Sequence, residues 1–557
     1  MSTITSSANA VIKKVRASRD ATLLTTSLHI PASRLNVIDI ASESGILTPR
    51  ALAITELPTE DLLRRLRSRE ITAVETAWAF IRRASVAQVA VNCLTELMAE
   101  EALNHAKFLD AVIETGPPMG PLHGLPISLK EHIGLAGHSL SVGYVAWTTH
   151  DPPKQDSELA ALLKRAGAVI ICRTTEPQSV MHLETSSPLY GVTTNPYNRN
   201  LTPGGSSGGE SALQAMRGSP LGFGSDIGGS VRCPAANCGL YSLRPTALRL
   251  PRSGVKSSMP GAESILGVMG PISSSVAGLE VAMRAVIDGA PWMYDPACVR
   301  MPWRKVEIEP KGKEKIRVGV MRWDGVVMPT PTIQRALSYA IHKLSEESRI
   351  EIVEYEPLEH YEAWKLIAEL YFLDGGATIR DILASGGEEP EPLTSHILGD
   401  TPDGNHFCRP HSVREIWDLC ARRDEFRKRY LHHWQSHHID CLLSPVGPST
   451  APRLGTSKYW GYTSIWNLLD YPSATFPIHS ISCDPRFDSA TWEYMPVNEE
   501  DRRHWEGWDP EGMRGGPAGL QVTGLKGLDE EVLGWVGVVD GVVNGRGVGV
   551  GPLPPKE

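Results

Sequence analysis

Apolar and charged residues alternate at helical spacing near the start of the chain. Residues 56–88 repeat leucine, isoleucine and alanine at intervals of three and four between arginines and glutamates, and Thr59 followed by Glu60 is typical of a helix start. Residues 157–167 form a second amphipathic pattern that ends at Gly167, and residues 168–174 are a short apolar run. A helix followed by a buried strand is the pattern of an α/β protein.

The same alternation continues through the second half of the chain. Strand patterns occupy residues 316–323, 350–356 and 440–446, and helical patterns lie between them at residues 332–347 and 412–436. No internal repeat is present, which excludes a solenoid. We therefore expect an α/β fold with helices covering a sheet.

Two segments lack this periodicity. Residues 383–405 are rich in proline, glycine and acidic side chains, and we expect an exposed loop there, over an active site. Residues 544–557 are rich in glycine and proline and predict a disordered tail.

Composition indicates a globular protein that does not bind nucleic acid. Hydrophobic residues make up 41% and charged residues 21% of the 557 positions, and the net charge is -9. Neither a signal peptide nor an apolar run of about 20 residues is visible, so we expect no membrane span and a cytoplasmic location. The nine cysteines form no CxxC pair, which favours reduced thiols.

Two glycine-rich segments hold the candidate chemistry. Residues 202–210 read TPGGSSGGE and contain Ser206, and residues 224–235 read GSDIGGSVRCPA and contain Ser230. Alone, such segments usually form turns or linkers. Successive backbone N–H groups in such a segment can also bind negative charge, so Ile227, Gly228, Gly229 and Ser230 are candidates for an oxyanion hole.

An alternative for Ser206 is the nucleophile elbow of α/β-hydrolases, because Gly204 to Gly208 formally fits G-x-S-x-G. That motif requires a buried strand directly before it. Residues 195–203 read NPYNRNLTP, a polar sequence with two prolines, which disfavours the elbow.

Lys130 follows the apolar residues 127–129 at the end of a strand pattern. A lysine is ordinarily exposed, but burial disfavours its ammonium form and gives the neutral amine that a general base requires. The sequence thus indicates a serine hydrolase with a lysine base.

A metal site is the weaker alternative. His433 and His437 lie four residues apart on a predicted helix, a spacing that could bind a metal. Neither an HExxH motif nor a phosphate-binding GxxxxGK[ST] motif is present, and we expect neither a metal nor an organic cofactor.

These segments together resemble the amidase signature family. The stretches GLPISLKEHIGLAG (124–137), NPYNRNLTPGGSSGGESAL (195–213) and the segment from residue 224 to 254 occur in the family's order, and GPAGLQVTG (516–524) resembles its C-terminal strand. The similarity covers about residues 57–539, and residues 465–478 with WDPEG (508–512) look most like fungal acetamidase-type and fatty-acid-amide-hydrolase-like members. Ser211 and Ser242 replace glycines of the family pattern.

The resemblance implies a role for each candidate residue. Ser230 would be the acylated nucleophile, Ser206 a bridging serine after a cis peptide bond from Gly205, and Lys130 the base. Ile227, Gly228 and Gly229 would form the oxyanion hole with Ser230, Val180 would lie at the substrate pocket, and Asp226 and Arg232 would support the loop.

It also implies a single large domain with a mixed, twisted sheet covered by helices, although the length by itself would suggest about three or four domains. We divide the chain into an N-terminal extension (1–55), an amidase domain (56–540) and a tail (541–557).

The expected activity is hydrolysis of a carboxylic acid amide to an acid and ammonia or an amine. Acyl transfer by the same fold and a non-catalytic binding protein are the alternatives. The sequence leaves open a homodimer and the choice among small aliphatic, aromatic, indole and long-chain amides.

Overall fold

The computed structural model describes residues 5–25, 28–309, 315–488 and 494–545. Within these ranges the strands are β1 (Leu94–Leu97), β2 (Pro126–Lys130), β3 (Val169–Thr174), β4 (Ser186–Ser187), β5 (Gly191–Val192), β6 (Leu221–Asp226), β7 (Tyr241–Arg244), β8 (Val268–Ser273), β9 (Ile316–Val320), β10 (Ile350–Glu354), β11 (Cys441–Pro445), β12 (Ser473–Ser482) and β13 (Pro517–Thr523).

The helices of the first half are α1 (Ser6–Ala21), α2 (Ile40–Glu43), α3 (Pro49–Thr55), α4 (Thr59–Arg67), α5 (Ala73–Val91), α6 (Ala99–Thr115), α7 (Glu158–Arg165), α8 (Gly208–Ala215), α9 (Arg232–Asn237) and α10 (Val276–Ile287). Those of the second half are α11 (Pro331–Ser345), α12 (His360–Tyr371), α13 (Ala377–Gly386), α14 (Pro392–Ile397), α15 (Val413–Ser436), α16 (Gly461–Leu469), α17 (Pro485–Asp488), α18 (Glu499–Glu506) and α19 (Asp529–Val543).

Eleven strands form one mixed sheet in the order β1-β3-β2-β6-β8-β7-β12-β13-β11-β9-β10. β2 runs parallel to both β3 and β6, and β9 runs parallel to both β10 and β11, whereas the strands between these groups pair antiparallel. Helices α5 and α6 pack on β3, α10 packs on β8, and α11 and α19 pack on β12 and β13. The expected single α/β domain with a mixed sheet is confirmed.

Local sequence explains where the long helices begin and end. The Thr72 side chain accepts a hydrogen bond from the Glu75 amide at the start of α5, and Asn92 ends this helix in a left-handed conformation. Ser412 and Glu415 form a capping box at the start of α15. The predicted helix over residues 56–88 is two helices, α4 and α5, with a break between residues 67 and 73.

Residues 383–405 form the predicted loop only in part, at residues 387–391 and 398–405. The segment begins in the last turns of α13 and contains α14, and Leu393 and Ile397 of α14 are buried. These two apolar residues lie four positions apart and hold one helix face inward, so the polar composition between them misled the prediction.

Both ends of the described chain contain helices that pack on the rest of the fold. Residues predicted as an N-terminal extension contain α1 to α3, and Val37, Ile40 and Ile54 join the main core. At the other end α19 continues to Val543, so residues 541–543 are helical and not disordered, and the predicted tail beyond residue 545 lies outside the described residues. None of the described helices has the length and hydrophobicity needed to cross a membrane.

Candidate active site

The parallel strands β2, β3 and β6 end at the same edge of the sheet. Lys130 is the last residue of β2 and Asp226 the last residue of β6, and Lys130 pairs in register with Thr174, the last residue of β3. Since parallel strands place their carboxyl ends together, residues far apart in sequence meet there.

Lys130 is completely buried at this edge. Its Nζ lies 2.6 Å from Ser206 Oγ and 3.1 Å from Ser225 Oγ. Burial lowers the pKa of Lys130 to about 8, against the opposing attraction that the carboxyl groups of Glu176, Asp226 and Glu210 exert when they are ionised. A substantial fraction of Lys130 is therefore the neutral amine at mildly alkaline pH.

Ser206 reaches the lysine from the turn before α8. The peptide bond between Gly205 and Ser206 is cis, as expected, and Gly204 has a φ of +85°. A side chain on Gly205 would lie 2.2 Å from the Glu184 carbonyl oxygen, so the chain passes this point without room for a Cβ. The next residue, Ser207, donates its amide hydrogen to the carbonyl oxygen of Ser230 at 3.1 Å and joins the two glycine-rich segments.

The backbone between β6 and α9 forms the candidate oxyanion hole. Among the described residues no acceptor bonds to the amides of Ile227, Gly228 or Ser230. The Gly229 amide instead donates to Asp226 Oδ1 at 2.8 Å. Three of the four predicted donors thus have no acceptor among the described residues. The fourth, the Gly229 amide, bonds to Asp226 and fixes the turn.

Asp226 and Arg232 support this loop from below. Both are completely buried and form an ion pair at 3.0 Å, and Asn467 Nδ2 donates to Asp226 Oδ1 at 2.9 Å. Burial alone would raise the pKa of Asp226, but the charge and hydrogen bonds of Arg232 and Asn467 outweigh it and hold the pKa at about 2. The supporting role expected for these two residues fits this geometry.

Two further residues hold the loop, and sequence reasoning missed both. Tyr371 Oη donates to the Ile227 carbonyl oxygen at 2.8 Å, and Thr463 Oγ1 donates to the Gly228 carbonyl oxygen at 2.6 Å. Fixing the carbonyl side of each peptide plane also fixes the direction of the following N–H. Tyr371 lies in a helix without a recognisable motif, so no sequence signal could have identified it.

A third residue that sequence reasoning missed is Glu210, inside the GGSSGGE motif. It is buried, and its carboxyl group accepts hydrogen bonds from Ser128 Oγ at 2.6 Å and Thr174 Oγ1 at 2.8 Å. Burial raises its pKa to about 7, against these hydrogen bonds.

A cavity of about 310 Å³ opens at Ser206 and Ser230. The predicted pocket residue Val180 lines it together with Ile227, whereas Gly228 and Gly229 lie outside the lining. Most of the exposed surface of the wall is apolar, with contributions from Val142, Met181, Val255, Met259, Ala262, Ile265 and Met269. Polar and charged side chains line the rest, among them His132, Arg252, Lys256, Asp295 and several serines. The site therefore combines a buried amine, two serines and free backbone donors with an apolar binding space.

The two alternative sites find no support. Among the described residues no group of three His, Cys, Asp or Glu side chains could hold a metal ion, and His433 Nε2 lies 2.8 Å from the Glu356 carbonyl oxygen. The described segment 193–205 before Ser206 contains no strand, which agrees with the sequence in disfavouring the nucleophile-elbow alternative.

Comparison with known proteins identifies the family. The sequence profile of the amidase family matches residues 75–533. The chain belongs to the amidase family. Acetamidase of Emericella nidulans is 36% identical over 509 residues, covering 89% of this chain and 91% of that protein. A Schizosaccharomyces pombe protein named "Putative amidase C550.07" is 47% identical over 501 residues, covering 90% of this chain and 92% of its own.

The amidase fold is confirmed by a solved structure. A fatty acid amide hydrolase superposes with a TM-score of 0.91 at 34% identity and covers 96% of this chain and 95% of its own. The chain is thus a serine amide hydrolase of the amidase family, and the alternative of a non-catalytic binding protein is set aside.

Proposed function

We propose that this amidase cleaves its substrate through an acyl-enzyme on Ser230, with Ser206 and Lys130 carrying the proton. The observation that supports this most directly is the 2.6 Å separation of Lys130 Nζ and Ser206 Oγ in a site where the lysine is fully buried. A buried neutral amine can accept a proton, and Ser206 is the group in contact with it.

In the first half of the reaction the Ser230 hydroxyl attacks the amide carbon. Its proton passes to Ser206, whose own proton passes to Lys130. The negative oxygen of the tetrahedral intermediate would accept hydrogen bonds from the amides of Ile227, Gly228 and Ser230. Collapse of the intermediate breaks the C–N bond, and the leaving nitrogen takes the proton back from Lys130 through Ser206.

In the second half a water molecule attacks the Ser230 ester. The neutral Lys130 again accepts a proton, now from the water, through Ser206. The C–O bond to Ser230 then breaks, the Ser230 oxygen takes this proton back from Lys130 through Ser206, and the acid leaves. Acyl transfer differs only in replacing this water by an amine, and no observation favours it here.

A covalent trap tests the assignment of the nucleophile. We expect a fluorophosphonate to add mass to the peptide that contains Ser230, and Ser230→Ala to abolish the labelling because it removes the attacking oxygen. Ser206→Ala should still be labelled, more slowly, since water can partly replace a bridging hydroxyl. Labelling of Ser206, with Ser230→Ala still reactive, would contradict the mechanism.

The cavity favours a substrate with an apolar group larger than acetyl. Its volume of about 310 Å³ lies at the lower end of the volumes of small-molecule binding sites, each of which holds a whole ligand. The exposed surface of its wall is mostly apolar. Burying one methylene contributes about 0.8 kcal/mol, so kcat/KM should rise about fourfold per added methylene until the cavity is full.

A series of primary amides from acetamide to decanamide, assayed by ammonia release, measures this dependence. Ile265 lines the cavity and is buried, so Ile265→Phe should reduce hydrolysis of the longer amides more than that of acetamide. Ile265→Val is the matched control and should preserve the order of the series. Acetamide as the best substrate of the wild type would refute the preference.

A further inference from the structure

Glu176 lies at the catalytic edge of the sheet and has no role in the mechanism above. It follows β3 by two residues, and the last residue of β3, Thr174, is the register partner of Lys130. The side chain is buried, and among the described residues no donor bonds to either oxygen of its carboxyl group. An ionised carboxylate without donors is one of the most unfavourable groups to bury.

The neighbouring carboxylate of Glu131 is in the opposite situation. It accepts hydrogen bonds from the Ser141 hydroxyl at 2.8 Å and from the Val142 amide at 3.1 Å, and from the Ser141 amide as well. Arg173 lies 3.8 Å from it. Hydrogen-bond donors are therefore directed at Glu131 and not at Glu176.

The ionisable groups that face Glu176 are Glu131, Lys130 and Arg173. Burial, followed by the charge of Glu131, raises the pKa of Glu176 well above its usual value, and the two cations do not compensate. Two adjacent buried carboxyl groups with one set of donors commonly share a single proton.

We propose that Glu176 is a positioning residue that stays a neutral carboxylic acid beside Lys130. An ionised Glu176 would attract the proton of the lysine ammonium and make Lys130 a base only at higher pH. In its neutral form Glu176 fills the space behind the lysine without adding that charge. The proposal rests on Lys130 being the base of the proposed function.

Stability as a function of pH tests the protonation state without using activity. A carboxyl group that is protonated in the native protein but ionised when unfolded stabilises the fold fully below its unfolded pKa, and this contribution is lost as pH rises towards the native pKa. Glu176→Gln carries no such group. Its unfolding constant relative to wild type should fall by up to about tenfold per pH unit above pH 4.5.

Thermal midpoints of the full chain between pH 5 and 9, at one scan rate, measure the difference. We expect the thermal midpoint of Glu176→Gln to rise steadily relative to that of the wild type as pH increases. A purely steric effect of the substitution would change the midpoint by the same amount at every pH. Glu131→Gln is the matched control, because it removes the carboxylate to which donors are directed, and it should lower the midpoint. A difference in midpoint between Glu176→Gln and the wild type that does not grow with pH would overturn the proposal.

The pH dependence of kcat/KM gives an independent readout. Glutamine is neutral, and we propose that the native Glu176 is neutral as well. The acidic limb of the kcat/KM profile should therefore lie at the same pH in Glu176→Gln and in the wild type. A shift of that limb to lower pH by about one unit or more would show that the wild type carries a charge at Glu176. If Lys130 proved not to be the base, the stability result would still stand, so the two failures are distinguishable.

Discussion

The lowered pKa of Lys130 depends on the buried position in which the fold places this side chain. A lysine at a surface keeps its pKa near 10.5, whereas this amine is enclosed and its pKa is lowered to about 8 by burial. The two serine hydroxyls within 3.1 Å provide the polar contacts that a buried amine requires.

Replacing Lys130 by methionine, which keeps most of the side-chain volume, should lower kcat/KM by about 10²- to 10⁴-fold, the usual range for a lost general base. Lys130→Ala should behave alike, and circular dichroism should show both variants folded. Steady-state hydrolysis of hexanamide measures the effect. Turnover near that of the wild type in a folded variant would remove lysine from the mechanism.

The pH dependence of the wild type follows from the same pKa. The base must be neutral, so kcat/KM should rise tenfold per pH unit below about 8 and reach a plateau above it. Rates between pH 5 and 10 measure the limb. A profile that falls as pH rises from 7 to 9 would be incompatible with a lysine base.

At the scale of elements, the loop between β6 and α9 depends on contacts from distant parts of the chain. Tyr371 comes from α12 and Thr463 from α16, and each donates to a carbonyl oxygen of the loop. Gly229 has a φ of +127° and no room for a Cβ, which would lie 2.2 Å from Thr463 Oγ1. The directions of the backbone amides in this loop are therefore set by packing as well as by the loop's own sequence.

Tyr371→Phe removes one of these hydrogen bonds and should lower kcat/KM roughly 2- to 10-fold, because such a bond contributes about 0.5 to 1.5 kcal/mol. Tyr241→Phe is the matched control, since that buried hydroxyl bonds to Asp540 at 3.0 Å and not to the loop. Kinetics of both variants on one amide check the difference. Equal rates for Tyr371→Phe and the wild type would exclude this contact from catalysis.

At the scale of the whole molecule, the proposed catalytic groups come together because parallel strands share an edge. No cluster of metal-binding side chains exists in the parts of the chain that the structure describes. Dialysis against a strong chelator should therefore leave kcat/KM unchanged. Activity lost on chelation and restored by zinc would contradict a mechanism based on backbone donors.

Much of this arrangement could be predicted from the sequence. Strand and helix periodicity gave the α/β class, and the runs at residues 168–174 and 440–446 are β3 and β11. The glycine-rich segments and Lys130 were recognised because their residue types are unusual for their surroundings. The polar segment with α14 was misjudged, since two buried side chains among many polar ones leave a weak pattern.

The sequence by itself determined which groups are available for chemistry: a lysine after an apolar strand and two serines between glycines. Only the tertiary structure decided the surroundings of each of them. Burial lowers the pKa of Lys130, and the Gly229 amide donates its hydrogen bond to Asp226. The donors near Glu176 are directed at Glu131. Proton affinity and hydrogen-bond direction depend on neighbours in space, and these neighbours lie up to hundreds of residues apart in the chain.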